Sequence, residues 1–253
     1  VKGDELARAR AQLLKFAKDI RELYRKERFR TRQLEDTLEE LNQSYFSTME
    51  TLAFLVEAKD VGTRRHLDRT RDLAMALARI IDPELAARPE TSHAFLLHDI
   101  GKVGIPERLL TKRGPLSPSE WEVMRSHPVV GAHIVTPIRI LGDGVDVVRF
   151  HHERYDGRGY PSGLAGTDIP LSARIFSVAD AFDAMTSDRP YRAARSADRA
   201  VEEIRRCSGT QFDPEIVEAF VLLSKTNETL LLPETHEQDE HDHSTPTRRI
   251  TLS

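Results

Sequence analysis

The segment RIFSVADAFDAM, residues 174 to 185, decides the fold class. Its first residues would suit a strand, because Ile, Phe and Val pack well on a pleated surface. Its apolar positions, however, are Ile175, Val178, Ala179, Phe182 and Met185. Steps of three and four line one face of a helix but scatter over both faces of a strand. Read as a helix, the segment removes the best strand signal in the chain, and the fold is expected to be all-α.

Outward from this segment, proline and glycine punctuate a series of helices from Glu57 to about Ser224. Asp82-Pro83 and Asp213-Pro214 each put an N-cap acceptor before a proline at the first helical position. In SPSE, residues 117 to 120, Glu120 stands at the capping-box position after Ser117. On the N-terminal side, Glu5 to about Lys59 contains neither proline nor glycine and is rich in Leu, Ala, Arg, Glu and Gln, which predicts one or two long helices. Leu34, Leu38, Leu41, Tyr45, Thr48, Leu52 and Leu55 follow at steps of three and four with charged residues between them, the pattern of a coiled-coil seam. Such a helix would dimerise or couple a signal; the alternative is a helix folded back on its own domain. After Lys225 the chain turns polar and charged, and a mostly disordered tail is expected there. His236, His241 and His243 in that tail are read as parts of a solvated acidic segment, because no scaffold fixes them as ligands. The expected organisation is therefore a long helix over residues 1–56, an all-α domain of the multi-helix bundle type over 57–224, and a tail over 225–253.

The composition excludes several classes of function. The 253 residues include 41 acidic and 37 basic side chains, a formal charge of −4, so no global positive field draws the chain to a nucleic-acid backbone. The one cysteine, Cys207, cannot form an internal disulfide or a thiolate-rich metal site, which fits a reducing compartment. No stretch approaches the ~20 continuous apolar residues of a membrane span. A cytoplasmic location is expected.

Seven of the ten histidines fall between His66 and His152. In FLLHDIGK an apolar helix ends in His98 and Asp99, with Lys102 three residues beyond. A buried carboxylate needs a partner, and a divalent cation is a strong one, although a capping aspartate beside a histidine at the edge of a core is also common. His66, His127, the adjacent His151 and His152, and Asp180 add to this pair. Five imidazoles and two carboxylates can supply two metals with one bridging carboxylate. A mixed nitrogen and oxygen donor set suits iron, manganese, zinc, cobalt or nickel better than calcium or magnesium. His93 and His133 are read as exposed or hydrogen-bonded side chains. Asp183, one helical turn after Asp180, is read either as a carboxylate supporting the metal site or as a salt-bridge partner.

These residues resemble the HD-GYP family, a subgroup of the HD phosphohydrolases. His98-Asp99 matches the HD pair, and HHERYDGRGYP, residues 151 to 161, fits the family signature with Gly159, Tyr160 and Pro161 as its GYP. DVGTRRHLDR, HPVVGA, ADAFDAMTSDRPYR and GTQFDPEIVEAF extend the resemblance over residues 55 to 223. The N-terminal helix likewise looks like the signalling linkers that precede such domains. The resemblance implies a metal-dependent phosphodiesterase that opens cyclic diguanylate to the linear dinucleotide pGpG and, in many members, continues to GMP. It carries His66, His98, Asp99, His127, His151, His152 and Asp180 over as metal ligands, with Asp99 bridging. Lys102, Arg189 and Arg192 match positions that contact substrate phosphates. Tyr160 is a candidate contact for substrate or for a partner protein. Two divalent transition-metal ions are implied, with iron or manganese favoured.

Some members carry a third metal on a glutamate four residues before the first histidine. Gly62 occupies that position here, which favours two metals; Glu57, further upstream, would need a different backbone course to substitute. Within the signature, Gly157, Gly159 and Gly163 are expected to form a tight loop braced by Asp156. The implied partners are a cyclic dinucleotide substrate, a second copy through the N-terminal helix, and a sensor, a receiver domain or a diguanylate cyclase. Two rivals stand beside this reading: an HD phosphohydrolase for another nucleotide, and a non-enzymatic domain that binds cyclic diguanylate or a cyclase.

Overall fold

The computed structural model describes residues 2–59, 64–188 and 193–226. Gly62, Arg189, Arg192 and the expected tail beyond residue 226 lie outside the described residues. Within them the chain is helical and forms no strand; Ser208 and Phe212 make one isolated bridge. The segment 174–185 lies inside a continuous helix, so the spacing of its apolar side chains prevails over its strand-like start.

The N-terminal helix α1 is a single element, Lys2–Glu57. It is followed by α2 (Arg64–Ile81), α3 (Pro83–Ala87) and α4 (Pro89–Leu96), then by a 3₁₀ turn over Ile100–Gly104. Next come α5 (Glu107–Leu110), α6 (Pro118–Met124), α7 (His127–Val135) and α8 (Val145–Phe150). The helices α9 (Leu171–Thr186), α10 (Ala197–Arg206) and α11 (Pro214–Thr226) complete the described chain. The predicted helix starts are present. Asp82 Oδ1 accepts from the amides of Glu84 and Leu85, each at 3.0 Å. Ser117 and Glu120 cap each other reciprocally, and Asp213 Oδ1 accepts from the Glu215 amide at 2.9 Å. Each bond satisfies an amide that the first helical turn leaves without a partner.

Two apolar clusters flank the functional region. The larger joins α2, α4, α9, α10 and α11 through residues such as Leu77, Phe95, Phe176, Ile204 and Phe220, all essentially inaccessible. The smaller gathers Leu96, Leu97, Ile100, Val135 and Leu141 around the end of α1, which contributes Met49, Ala53 and Val56. These three residues recur at helical spacing on one face. The seam predicted for a coiled coil lies on another: Leu34, Leu38, Leu41, Tyr45, Leu52 and Leu55 remain 42–62% exposed. The end of α1 thus folds back on the domain while keeping a second apolar stripe in solvent.

The 3₁₀ turn and α7 meet at contact distance. A Cβ on Gly101 would lie 1.9 Å from the backbone oxygen of His127 and 2.5 Å from the Gly131 amide. Only glycine permits this approach, and it brings the segment carrying His98 and Asp99 against the helix that begins with His127.

Candidate metal centre

Two groups of side chains converge between the clusters. Asp99, His127, His151 and His152 each offer a donor atom within 4.8 Å of the others, and His66, His98 and Asp180 form a second group of the same kind. These seven are the residues that the sequence nominated as ligands. They arrive from five places: α2, the turn after α4, the first residue of α7, the end of α8 and the middle of α9. The carboxylate of Asp99 faces both groups. Its Oδ1 lies 3.1 Å from His127 Nε2 and 3.7 Å from His151 Nε2; its Oδ2 lies 3.2 Å from His98 Nε2 and 2.7 Å from Lys102 Nζ.

The backbone settles which imidazole nitrogens face inward. His98 Nδ1 donates to the Phe95 carbonyl at 2.9 Å, His127 Nδ1 to that of Met124 at 2.8 Å, and His151 Nδ1 to those of Val148 and Val147 at 3.0 and 3.1 Å. His66 Nδ1 donates to Asp183 Oδ2 at 2.5 Å. With Nδ1 protonated, each ring directs an Nε2 lone pair to the centre, the arrangement that suits a metal ligand. Asp183 therefore orients His66, and it also accepts from Arg69 Nε at 2.6 Å and Ser187 Oγ at 3.0 Å. The salt bridge that the sequence offered as one reading is present, with Arg69, and the same carboxylate holds His66.

The donor set fits a cation on two further counts. His127 Nε2 and His151 Nε2 are 3.4 Å apart, and two lone pairs at that distance repel unless positive charge lies near both. Asp99 Oδ1 is buried without a well-directed hydrogen bond, a costly state for a carboxylate oxygen that a cation would relieve.

The electrostatics follow from burial and neighbouring charge. Burial opposes ionisation of Asp99, yet Lys102 and His98 hold it well below the usual carboxylate range. Burial likewise opposes a charge on His98, but Asp99, with Asp180 and Glu57 beyond it, raises it to about 9. Burial pushes His152 well below the usual imidazole value. Protons and cations compete for the same Nε2 lone pairs, so affinity for metal falls as pH falls.

Glu57 joins the centre from a direction the sequence did not supply. It is 4% exposed; its Oε1 stands 3.9 Å from His66 Nε2, and its Oε2 is buried without a hydrogen bond. Burial raises its pKa. Glu57 is the last residue of α1, one position after Val56, and the docking of Met49, Ala53 and Val56 brings it to His66. The fold-back of α1, which sequence periodicity alone does not determine, carried the missing information.

The signature loop forms the adjoining wall. Glu153 is buried, and its Oε1 accepts from the Ser162 amide at 2.7 Å and the Gly163 amide at 3.1 Å, tying the loop to its own start. A Cβ on Gly159 would lie 2.3 Å from the Arg154 amide nitrogen, so glycine is required there. Asp156 braces the turn as expected, accepting from both Arg154 Nε and Nη2 and from the Arg158 amide. The Tyr160 ring leans on His152 with centroids 4.8 Å apart, and the Arg125 guanidinium carbon lies 5.5 Å from the Tyr160 ring centroid. Arg125 and Glu153 were not singled out from sequence. His93 donates to the Pro89 carbonyl and stacks on Phe46, and His133 is exposed, so neither belongs to the centre.

A family model described as HD domain matches residues 50–216. The chain belongs to the HD domain family. A Thermotoga maritima protein named cyclic di-GMP phosphodiesterase is 40% identical over 215 residues, covering 83% of this chain and 58% of that protein. A Vibrio cholerae protein of the same name is 37% identical over 219 residues, covering 77% of this chain and 44% of its relative. The chain thus spans about half the length of these relatives. Among solved structures, a cyclic GMP-AMP-specific phosphodiesterase of V. cholerae superposes with a TM-score of 0.57 at 21% identity, covering 72% of this chain and 49% of that one. That likeness supports the HD fold. No helix among the described residues is long and apolar enough to cross a membrane.

Proposed function

We propose that this HD-domain chain is a metal-dependent phosphodiesterase that hydrolyses cyclic diguanylate to the linear dinucleotide pGpG. The observation that carries the reading is the position of Asp99, one carboxylate with an oxygen toward each of two donor groups. Its HD-GYP-like signature and the names of the two relatives support the same substrate.

His127, His151 and His152 would hold one divalent cation and His66, His98 and Asp180 a second, with Asp99 common to both. Iron or manganese suits this donor set best. Glu57 adds a further oxygen donor beside His66 and makes a third cation compatible with the site despite Gly62. Divalent cations supply Lewis acidity toward a phosphoryl oxygen and acidify water near neutral pH.

The chain's own residues prepare the site for this chemistry. Carbonyls hold three imidazoles by Nδ1, and Asp183 holds a fourth, so no reorientation is needed when an anionic phosphodiester arrives. Lys102, fixed beside Asp99, provides positive charge for a non-bridging oxygen. Arg189 and Arg192, outside the described residues, are assigned to the second phosphate, and Tyr160 to the substrate beside His152. The catalytic domain is taken as 57–224, the second copy is taken to dock through the α1 seam, and the action is assigned to the cytoplasm, where a lone cysteine stays reduced. A sensor, a receiver domain or a diguanylate cyclase is the expected upstream partner.

Product analysis tests the proposal. Protein loaded with Mn²⁺ or Fe²⁺ should convert cyclic diguanylate to linear product, chelated protein should not, and Asp99→Ala should lose both turnover and bound metal. Turnover by Asp99→Ala at the wild-type rate would overturn the metal mechanism. Tight binding by the loaded protein without turnover would identify a receptor instead.

A further inference from the structure

A cavity of about 480 Å³ opens beside the metal centre, with His152, Asp180 and Tyr160 at its edge. Its walls are largely apolar: Ala181, Ala184 and Met185 come from α9, and Phe212 comes from the turn before α11. Flat apolar walls around a few fixed polar groups suit a planar heterocycle. Polar side chains line it as well, among them Arg154, Arg195, Glu203 and Gln211.

The orientation of the Gln211 amide is set by a chain of bonds. Asp156 grips Arg154 through Nε at 3.1 Å and Nη2 at 2.9 Å, and Arg154 Nη1 donates to Gln211 Oε1 at 3.2 Å. Backbone bonds stitch the same two segments together, from the Tyr155 amide to the Gln211 carbonyl and from the Asp156 amide to the Thr210 carbonyl. With its oxygen engaged, Gln211 is left with Nε2, which has no hydrogen-bond acceptor among the described residues. An amide NH₂ is a donor. Guanine presents adjacent acceptors at O6 and N7, whereas adenine replaces O6 with an N6 donor.

We propose that this cavity seats one guanine base of the substrate and that Gln211 is a specificity-determining residue, its Nε2 donating to O6. The inference rests on the phosphodiesterase reading for its substrate but makes a separate claim about base discrimination. An adenine in the same pose would set its N6 donor against Nε2; N7 is an acceptor in both purines, so the discrimination falls on O6 alone.

The test compares cyclic diguanylate with cyclic di-AMP on the whole chain, by calorimetric binding in the presence of chelator and by kcat/KM with Mn²⁺. Wild-type protein should prefer the guanine compound at least tenfold. Gln211→Glu keeps an acceptor for Arg154 but removes the donor, and Gln211→Leu removes the donor at similar size; each should reduce the preference at least tenfold. An unchanged preference in a folded variant, or an equal loss for both nucleotides, overturns the base seat, as does a wild type without preference. Guanine-selective binding without turnover overturns the phosphodiesterase reading and supports the seat; turnover that ignores the base does the reverse.

Discussion

His66 Nδ1 and Asp183 Oδ2 lie 2.5 Å apart and join two helices whose partners are 117 residues distant in sequence. Asp183→Asn should weaken metal binding by about 10- to 100-fold, because the amide can no longer favour the Nδ1-protonated ring as a carboxylate does. Metal titration followed by mass spectrometry checks this. Retention of wild-type affinity would show that ring orientation does not depend on Asp183.

Gly101→Ala places a methyl group where the His127 carbonyl already stands. The 3₁₀ turn and α7 must separate, and the variant should lose about 3 kcal/mol of stability. Chemical denaturation measures that loss. Metal content should fall with it, because His127 and Asp99 are carried by the two separated segments.

Glu120 provides a pH prediction remote from the metal centre. Its carboxylate accepts from Lys112 and the Ser117 amide, and these bonds lower its pKa from 4.5 to about 2. A lowered folded-state pKa means that its stabilisation is complete above about 4.5 and is lost as pH falls through about 2. A carbon-detected NMR titration should give a midpoint near 2 for Glu120, and Lys112→Ala should move it back toward 4.5.

The exposed seam of α1 predicts self-association. Leu38 is 50% exposed and Leu41 62%, and a coiled-coil partner would cover both. Sedimentation should find a dimer for the wild type and a monomer for a variant carrying both Leu38→Glu and Leu41→Glu. A wild-type monomer over the micromolar range would show that the seam serves another partner.

Much of this was legible in the sequence because the signals were local. Apolar spacing identified α9, and a proline following an aspartate marked the starts of α3 and α11. The seven donors stood out because a histidine or aspartate with no packing role is conspicuous in an apolar setting. What was not legible depended on contacts between distant segments. Nothing near Glu57 indicates that the helix before it docks on Leu97 and Ile100. Arg154 and Gln211 are 57 residues apart, and only the folded chain shows that one fixes the amide of the other. Asp183 meets a histidine of the donor cluster and an arginine at once, because one carboxylate has enough oxygen lone pairs for His66 and Arg69 together.

The long N-terminal helix ends at Glu57, and this has a mechanical consequence. At 1.5 Å per residue its 56 residues make a rod of about 84 Å. The exposed seam runs along its second half, from Leu34 to Leu55, and the helix ends in a carboxylate 3.9 Å from His66. The side chains by which α1 meets the domain, Met49, Ala53 and Val56 on Leu96, Leu97 and Ile100 and Glu57 beside His66, are therefore gathered in its last three turns, and the remaining length of the rod is a lever arm outside them.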